Sequence, residues 1–295
     1  MTTPADIADA RTFALVVTYD APPEELARSV AALQHQTLLP AEVLIVDNHG
    51  TTPVPSDDLA ALGEAPVRVL RLDENLGPPG GYAAGIVEFL RTDCTHLWML
   101  DDDVVTDPDC LAELFALLAS HDDEVLAMPR AIDTRNGAVY DDVTTWWGAL
   151  IPRHAVEVCG VPQVELFYSL DDQEYFHDRF PLGGFPVTRS TTAIVRLLQR
   201  EPTSVAPWKM YYIVRNLTHR YLYARTHIAT STRLKSLAAG LWFWWRTAWA
   251  DEDQRYAKAR FYGRGVFDGV LKRLGKRVSP TSADRSWSTL SGQDR

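Results

Sequence analysis

The amino-acid sequence predicts an α/β fold, with a mostly parallel central sheet flanked by helices and a helical extension at the carboxyl end. Short apolar segments alternate with segments of helical periodicity, which is the pattern of a parallel, doubly wound sheet. Several apolar segments also end in aspartate or asparagine. Because ligands of open α/β sheets bind where the strands end, these polar residues are expected to form the functional site.

The amino-terminal part of the chain contains three predicted strands, with a predicted helix between the first two. In that helix, residues 24–36, the side chains of Leu26, Val30 and Leu33 recur at spacings of three and four and therefore share one face. The predicted strands cover residues 13–17, 41–46 and 68–72.

Residues 75–85 are rich in glycine and are predicted to form a loop that leads into a helix ending near Leu90. Gly80 and Gly81 would let the backbone approach a ligand, and the helix start would offer free N–H groups to an anion. The spacing matches neither the Gly-x-Gly-x-x-Gly pattern of dinucleotide-binding proteins nor a phosphate-binding loop. The sequence therefore gives little support to a kinase or a dehydrogenase.

A fourth apolar segment, residues 96–100, leads directly into three carboxylates, Asp101, Asp102 and Asp103. Adjacent carboxylates repel one another, and a divalent cation among them relieves that repulsion. Hard oxygen ligands favour Mg²⁺ or Mn²⁺, which can in turn hold a diphosphate. For the triplet taken alone, an acidic turn exposed to water is the alternative.

Charge is distributed unevenly along the chain, whose overall formal charge is −10. Residues 1–202 contain 12 Lys and Arg against 33 Asp and Glu, a balance of −21. Residues 203–280 contain 15 against 4, a balance of +11, and include a segment rich in tryptophan. Its tryptophans are Trp242, Trp244, Trp245 and Trp249.

A basic, tryptophan-rich helical region is typical of a membrane interface, so we expect peripheral attachment to an anionic inner leaflet. Packing of these helices on the α/β part of the chain is the alternative. No apolar run approaches the ~20 residues of a membrane span, and three widely separated cysteines fit neither a disulfide framework nor a metal site. The expected location is therefore the cytoplasm. Residues 1–10 are predicted to be flexible, and residues 281–295 to be a disordered tail.

Four motifs follow one another in the order and approximate spacing seen in family 2 inverting glycosyltransferases, and the sequence resembles that family up to about residue 180. They are Val17-Thr18-Tyr19, Val46-Asp47-Asn48, Asn75-Leu76-Gly77 with Gly80-Gly81, and Asp101-Asp102-Asp103. Two later motifs resemble the bacterial branch that transfers rhamnose or galactofuranose. They are Tyr211-Tyr212-x-x-Arg215-Asn216 and Phe267-Asp268-Gly269-Val270-x-x-x-Leu274-Gly275.

The resemblance implies a GT-A fold, in which residues 11–105 form a nucleotide-sugar-binding half and residues 106–202 an acceptor-binding half. Residues 203–280 would follow as a separate helical region. The resemblance also implies that Asp101 and Asp103 bind Mg²⁺ or Mn²⁺. The expected contacts of the nucleotide-sugar are Thr18, Tyr19, Asp47, Asn48, Asn75, Gly80, Gly81 and Asp102.

By the same resemblance, Asp172 is the general base that deprotonates the acceptor hydroxyl, with Asp171 beside it in the acceptor site. Without the upstream motifs, both residues would be interpreted as the solvated first turn of a helix. The acceptor platform is expected from Trp146, Trp147 and Gly148, because indole faces stack on sugar rings. Core packing is the alternative for the tryptophans.

Several family members place a histidine downstream of the base, where it completes the metal site. Residues 186–196 of this chain contain no histidine. Either a water molecule takes that place, or an arginine compensates the charge of the diphosphate.

The resemblance thus implies an inverting, metal-assisted glycosyltransferase of bacterial cell-envelope or polysaccharide assembly, with dTDP-rhamnose or UDP-galactofuranose as the favoured donor. The expected acceptor is a glycan or a polyprenyl-diphosphate-linked glycan, and a soluble small molecule is the alternative. A nucleotidyltransferase is less favoured, because residues 18–23 lack its basic, glycine-rich signature. A non-catalytic carbohydrate-binding relative would have lost the carboxylates that this chain retains. No nucleic-acid partner is expected, and the oligomeric state is left open.

Overall fold

The computed structural model of the chain describes residues 10–141, 144–198, 205–225 and 229–280. These residues form two compact units. The first contains residues 10–162 and 175–198, and the second contains residues 163–174 with the described residues from 205 onward. Residues 163–174, which lie inside the predicted acceptor-binding half, thus pack with the carboxyl-terminal helices. Apart from Ala10, the predicted flexible start and disordered tail lie outside the described residues.

The described residues contain one nine-stranded sheet, which lies in the first unit and has the order β3-β2-β1-β4-β8-β6-β9-β5, with β7 paired to β6. The strands are β1 (Thr12–Thr18), β2 (Glu42–Asp47), β3 (Val67–Arg71), β4 (His96–Asp101), β5 (Val104–Thr106), β6 (Leu126–Asp133), β7 (Val139–Tyr140), β8 (Trp147–Pro152) and β9 (Val187–Leu197). The four predicted strands are found within one residue of their expected bounds.

The α/β fold class is confirmed, and β1 to β4 are parallel as predicted. Beyond β4 the sheet is mixed, because β8 is antiparallel to β4 and to β6, and β5 is antiparallel to β9. Antiparallel neighbours need only short connections, whereas each parallel pair needs a crossover. β6 and β9 are parallel, so the sheet of the described residues combines four parallel and four antiparallel strand pairs.

Helices cover both faces of the sheet in the first unit. They are α1 (Pro23–Gln34), α2 (Ser56–Ala60), α3 (Gly77–Leu90), α4 (Cys110–Ala119), α5 (Arg153–Cys159) and α6 (Phe180–Leu182). The predicted inner face of α1 is confirmed, since Leu26, Val30 and Leu33 are buried in one apolar layer with residues of α4. The opposite layer contains Ile86 and Phe89 of α3. Burial on both faces explains why β1 is apolar along almost its whole length.

The glycine-rich segment is helical from Gly77 onward, so the prediction of a loop over residues 75–85 is wrong for most of that range. Its glycines serve helix packing. A Cβ atom on Gly81 would lie 2.5 Å from Cγ1 of Val17, and one on Gly85 would lie 2.2 Å from Cδ1 of Leu15. The missing side chains therefore let α3 lie directly on β1.

Gly85→Ala is expected to destabilise the protein by about 1–3 kcal/mol, because Leu15 is fully buried and cannot move away from the new methyl group. Gly263 is the matched control: it is also helical, but a Cβ there meets nothing within 4 Å. Gly263→Ala is expected to stabilise the protein by about 0.5–1 kcal/mol. Thermal unfolding of the two variants tests this, and equal shifts of Tm would contradict it.

Three long helices dominate the second unit: α7 (Pro207–Tyr223), α8 (Thr230–Ala250) and α9 (Arg255–Val270). Met210 and Val214 of α7 form an apolar cluster with Trp244 and Ala248 of α8 and Tyr262 of α9. Two short helical segments, Val164–Leu166 and the π-helix Gln173–Arg179, lie on either side of Asp171 and Asp172. None of the helices in the described ranges combines the length and the apolar character that a membrane span requires.

Candidate functional site

A cavity of about 500 Å³ lies at the carboxyl ends of β1 and β2. Its polar lining includes Thr18, Asp20 and Asp47, so two of the predicted nucleotide-sugar contacts, Thr18 and Asp47, border it. Its apolar walls are formed by Pro22, Pro23, Leu26, Pro53, Val54 and Pro55. The volume falls within the range of small-molecule sites. Tyr19, another predicted contact, is 44% exposed.

Asp47 organises the loop that follows β2. Its side chain is only 1% exposed, and its Oδ1 accepts a hydrogen bond from the N–H of Gly50 at 2.8 Å. Oδ2 accepts a hydrogen bond from the N–H of Val54 at 3.2 Å and forms an ion pair with the guanidinium of Arg71. Arg71 also donates to the carbonyl of Gly50 at 2.7 Å. These bonds fix the loop that forms one wall of the cavity.

A second aspartate, Asp20, whose side chain the sequence analysis did not single out, closes the same loop from the β1 side. Asp20 has a positive φ of 53°, and its carboxylate accepts hydrogen bonds from the N–H and the hydroxyl of Thr51. A Cβ on Gly50 would lie 3.2 Å from Asp20 Oδ1 and 3.4 Å from Asp47 Oδ1. The sequence signal for this turn was Asp20 within Tyr19-Asp20-Ala21-Pro22, because aspartate tolerates the left-handed region of backbone conformation.

Asn48 connects β2 with the start of α3. Its amide nitrogen donates to the carbonyl of Gly77 at 2.9 Å, and its amide oxygen accepts from the N–H of Leu76 at 2.9 Å. The oxygen of Asn75 accepts from the N–H of Gly77 at 2.8 Å. Asn48 is 2% exposed. Both predicted asparagines thus shape the segment that leads into α3, and Gly80 and Gly81 follow as buried residues of that helix.

The aspartate triplet lies at the same edge of the sheet as the cavity. In the strand register, Thr18 pairs with Asp47 on one side of β1, and Val17 pairs with Asp101 on the other. The hydroxyl of Tyr82 donates to Asp101 Oδ1 at 2.6 Å. Ser29 donates to the carbonyl of Asp102 at 2.8 Å, and the N–H of Leu198 to the carbonyl of Asp103 at 2.8 Å. The backbone of the triplet is therefore fixed on both sides.

The triplet offers the hard oxygen donors that Mg²⁺ and Mn²⁺ prefer. Among the residues that the structure describes, no group of three His, Cys, Asp or Glu side chains could hold a metal ion. A metal ion that binds a nucleotide usually takes only one or two protein carboxylates, the other ligands being water and phosphate oxygens. The donor set thus fits a metal shared with a diphosphate and does not fit a closed protein site.

The predicted acceptor residues Trp146 and Trp147 pack differently from each other. Trp146 is 4% exposed, and its ring stacks on Tyr82 with centroids 4.1 Å apart. The ring of Trp146 also packs edge-on against Phe176, with centroids 4.9 Å apart. Trp146 therefore has the environment of a core residue, and core packing was the alternative interpretation of this tryptophan. Trp147 is half-buried. Gly148 has a φ of +99° at an irregularity in the β4–β8 pairing.

Asp171 and Asp172 belong to the second unit and follow a strained loop. Phe167, Ser169 and Leu170 have positive φ values of 59°, 69° and 62°. Each such residue costs about 1–3 kcal/mol, and strain of this kind is concentrated at functional sites. Asp171 is 3% exposed, and Asp172 Oδ1 accepts from the N–H of Gln173 at 2.7 Å. The two residues start a helix, but the buried Asp171 does not belong to a solvated turn.

The environment of Asp171 includes the phenol of Tyr168. Burial raises the pKa of Tyr168 to about 12, and the negative charge of Asp171 adds to that rise. The ring of Tyr168 also packs edge-on against Trp208, with centroids 4.9 Å apart. Asp171 therefore lies in an aromatic, largely desolvated environment within the second unit.

The segment after the predicted base, in which a histidine was expected from the resemblance, forms β9. Arg196 makes a bidentate ion pair with Asp107, with N–O distances of 2.7 and 2.8 Å. Arg189 donates to the carbonyl of Pro129 at 2.6 Å and to the hydroxyl of Thr144 at 3.3 Å. Both arginines thus make contacts that hold β9 in the first unit. Compensation of diphosphate charge by an arginine stays a prediction.

Comparison with known proteins gives a consistent set of matches. The model of the Glycosyl transferase family 2 matches residues 14–168. Galactofuranosyltransferase GlfT1 of Mycobacterium tuberculosis (strain ATCC 25618 / H37Rv) is 27% identical over 308 residues, which cover 90% of this chain and 95% of that protein.

Two solved structures share the fold of the chain. S. aureus TarS 1-349 in complex with UDP-GlcNAc has a TM-score of 0.58 at 14% identity and covers 89% of this chain and 82% of its own. Mannosyltransferase PcManGT from Pyrobaculum calidifontis, in complex with GDP-Man and Mn²⁺, has a TM-score of 0.58 at 13% identity and covers 89% and 88%. At these identities the likeness is one of fold.

Proposed function

The chain belongs to glycosyltransferase family 2, and from this premise we propose that it transfers a sugar, with inversion, from a nucleotide-diphosphate donor to a hydroxyl group of a glycan acceptor. The observation that carries the proposal is the common edge of β1, β2 and β4. The cavity and the aspartate triplet lie there on neighbouring strands. A nucleoside in the cavity would have its diphosphate directed along this edge.

The cavity supports binding of a nucleobase and its ribose. The proline and leucine side chains of its walls offer flat apolar surface, whereas Asp20 and Asp47 offer carboxylate oxygens to N–H and O–H groups. Because both carboxylates already accept hydrogen bonds from the loop, the site is preorganised before the donor binds. Preorganisation reduces the entropy lost on binding.

The proposed roles of the triplet divide between metal and donor. Asp101 and Asp103 would hold Mg²⁺ or Mn²⁺, and Asp102 would accept a hydrogen bond from a ribose or sugar hydroxyl. A bound divalent metal supplies charge stabilisation to the departing diphosphate. The hydrogen bond from Tyr82 fixes Asp101 Oδ1, so this carboxylate is oriented by the protein and not by the ligand.

Inversion requires a base on the acceptor side of the sugar, and we assign this role to Asp172. It would take the proton from the acceptor hydroxyl as that oxygen attacks the anomeric carbon and the nucleoside diphosphate leaves from the opposite face. Asp171 would contact the acceptor, together with Trp147 and Gly148. The burial of Trp146 against Tyr82 and Phe176 favours a packing role for its ring.

Among donors, UDP-galactofuranose is favoured over dTDP-rhamnose, because the 27% identical relative that covers most of the chain is named a galactofuranosyltransferase. The proposed acceptor is a glycan, either free or linked to a polyprenyl diphosphate, in cell-envelope assembly. A soluble small-molecule acceptor is the second candidate. Nucleotidyl transfer is less favoured because residues 18–23 lack a basic, glycine-rich signature, and a non-catalytic role is less favoured because the candidate carboxylates are present.

A donor panel tests the proposed function. Binding and slow hydrolysis of UDP-galactofuranose, dTDP-rhamnose, UDP-GlcNAc and GDP-mannose would be measured with Mn²⁺, with Mg²⁺ and with a chelator. We expect selective turnover of one donor, UDP-galactofuranose, and its loss on chelation. Metal-independent turnover would reject the role of the triplet, and binding of none of the donors would reject the proposed activity.

The second unit supports a further part of the proposal, peripheral attachment at the cytoplasmic face of a membrane. One face of α8 packs inward through Leu241, Trp244 and Ala248. The other face exposes a stripe at helical spacing: Leu234 at 52%, Trp242 at 63%, Trp245 at 37% and Trp249 at 47%. Lys235 and Arg246 are exposed along the same stripe. Aromatic side chains beside cations suit the headgroup region of an anionic bilayer.

Sedimentation with anionic liposomes tests the attachment. The wild-type protein is expected to bind vesicles containing phosphatidylglycerol at low salt and to bind less at high salt, because the basic charge is screened. The double variant Trp242→Ser and Trp249→Ser is expected to lose at least about tenfold in binding, since the buried apolar area falls. Val158→Ser, which alters a side chain of the first unit that is 64% exposed, is the control. No binding of the wild type at low salt would reject the attachment.

A further inference from the structure

Two buried polar side chains of α7, Arg215 and Asn216, have no part in the reaction as derived so far. Both are 0% exposed. We infer that they are positioning residues that hold residues 165–170, here called the base loop, in the strained conformation that sets the position of Asp172. The inference rests on the proposed function, because it takes Asp172 as the base.

The two side chains bind the base loop through its carbonyl groups. The amide nitrogen of Asn216 lies within hydrogen-bonding distance of three carbonyl oxygens, those of Leu166 at 3.0 Å, Tyr168 at 2.9 Å and Ser169 at 2.8 Å, which share its two N–H groups. The guanidinium of Arg215 donates to the carbonyl of Leu166 at 2.7 Å and to that of Glu165 at 3.2 Å. Four carbonyls of a six-residue loop thus point at one pair of side chains.

The same pair is tied together internally. Nε of Arg215 donates to the amide oxygen of Asn216 at 2.8 Å, which fixes the orientation of the amide group and directs its nitrogen at the loop. The remaining nitrogen, Nη1 of Arg215, donates to the carbonyl of Gly275 at 2.6 Å. The N–H of Gly275 in turn donates to the carbonyl of Glu165 at 2.7 Å. The loop is therefore held from two directions.

The backbone of the base loop explains why it must be held. Phe167, Ser169 and Leu170 all have positive φ values, which side chains with a Cβ rarely adopt. Such a conformation persists only when its surroundings over-determine it. Leu170 directly precedes Asp171, and its carbonyl accepts the N–H of Glu174 at 3.0 Å. A change in the loop would therefore be passed to Asp172 through the chain itself.

The second late motif of the sequence supports the pair. Asp268 accepts a hydrogen bond from the hydroxyl of Tyr211 at 2.7 Å, and the guanidinium of Arg215 lies 4.8 Å from the ring centroid of Tyr212. A Cβ on Gly269 would lie 2.6 Å from the carbonyl oxygen of Arg215, so only glycine lets α9 pack this closely on α7. Residues of the second late motif thus contact Arg215, which in turn orients Asn216.

Asn216→Asp is the most direct test, because aspartate keeps the size of the side chain and removes both N–H donors. We expect kcat for sugar transfer to fall by about 30–100-fold, since a displacement near 1 Å of a reacting group costs about that much. The affinity for UDP is expected to stay within about twofold, because the donor cavity belongs to the first unit. Arg215→Lys, which keeps the charge but loses the planar fork, is expected to give the same pattern.

Thr218→Val is the matched control on the same helix. Its hydroxyl is buried and donates only to the carbonyl of Val214 within α7 at 2.8 Å, so it does not contact the base loop. We expect kcat to change by less than about twofold, because the substitution removes only a hydrogen bond within α7 and leaves the bonds to the base loop in place. A loss of kcat as large as that of Asn216→Asp would show that any buried polar change on α7 disturbs transfer, and the inference would fall.

A rescue experiment separates positioning from mere folding. Ser169→Gly and Leu170→Gly, combined with Asn216→Asp, should restore several-fold of the lost kcat, because glycine adopts positive φ without a Cβ penalty. Loss of UDP binding together with kcat, and no rescue, would mean that the pair only stabilises the fold. If Asn216→Asp keeps full activity and Asp172→Asn is inactive, the inference is overturned but the proposed base stands. An active Asp172→Asn would instead reject the proposed base.

Discussion

Replacing Asp172 by asparagine is expected to lower the rate of sugar transfer by about 10²–10⁴-fold, the usual contribution of a general base. Asparagine keeps the size of the side chain but cannot take the proton from the acceptor hydroxyl. Because the base acts mainly in the transition state, kcat should fall while the affinity for the donor stays nearly unchanged. Initial rates with a saturating acceptor, together with UDP binding by calorimetry, provide the two readouts.

The neighbouring carboxylates make this prediction specific. Asp171→Asn is expected to raise KM for the acceptor with a smaller loss of kcat, and Glu174→Gln is expected to have little effect. Glu174 accepts a hydrogen bond from the N–H of Gln163 at 3.3 Å, which helps to hold the start of the segment. Retained turnover in Asp172→Asn, with loss in one of the other two variants, would assign the base to that residue.

The second large effect is expected at the aspartate triplet. Asp103→Asn removes one of the carboxylates proposed to hold the metal, and kcat should fall by about 10²–10³-fold, because charge on the departing diphosphate is less well stabilised. Chelation of the wild-type protein should produce a loss of similar size. The two losses should not add, since both act on the same metal, and transfer measured with and without a chelator for each protein is the test.

Asp109→Asn is the control for that experiment, because Asp109 is an exposed aspartate of the same segment and precedes α4. Its kcat and its response to the chelator are expected to match those of the wild type. If Asp103→Asn stays active and loses its activity on chelation just as the wild type does, the metal is held elsewhere. Asp101→Asn would then be compared, since the hydroxyl of Tyr82 already occupies one side of Asp101 Oδ1.

The sequence predicted the positions of β1 to β4 and the common edge at which their polar residues meet. β1, β2 and β4 are buried on both faces, so their apolar runs are continuous and their ends are marked by the first polar residues, whereas the edge strand β3 is only partly buried. The glycine-rich segment was harder to predict. Its glycines fit a loop as well as a helix, and only the contact of Gly81 and Gly85 with β1 favours the helix.

Local pattern predicted the fold class and the edge of the sheet at which the cavity lies, whereas the roles of the candidate carboxylates came from the resemblance of the motifs to family 2 glycosyltransferases. Tertiary structure decided what those residues and their neighbours contact. Asp20 and Asp47 meet through a loop, Trp146 is buried against Tyr82, and Asn216 binds carbonyls 47 to 50 positions away in the chain. Such contacts depend on how distant segments pack, which spacing along a single sequence does not encode.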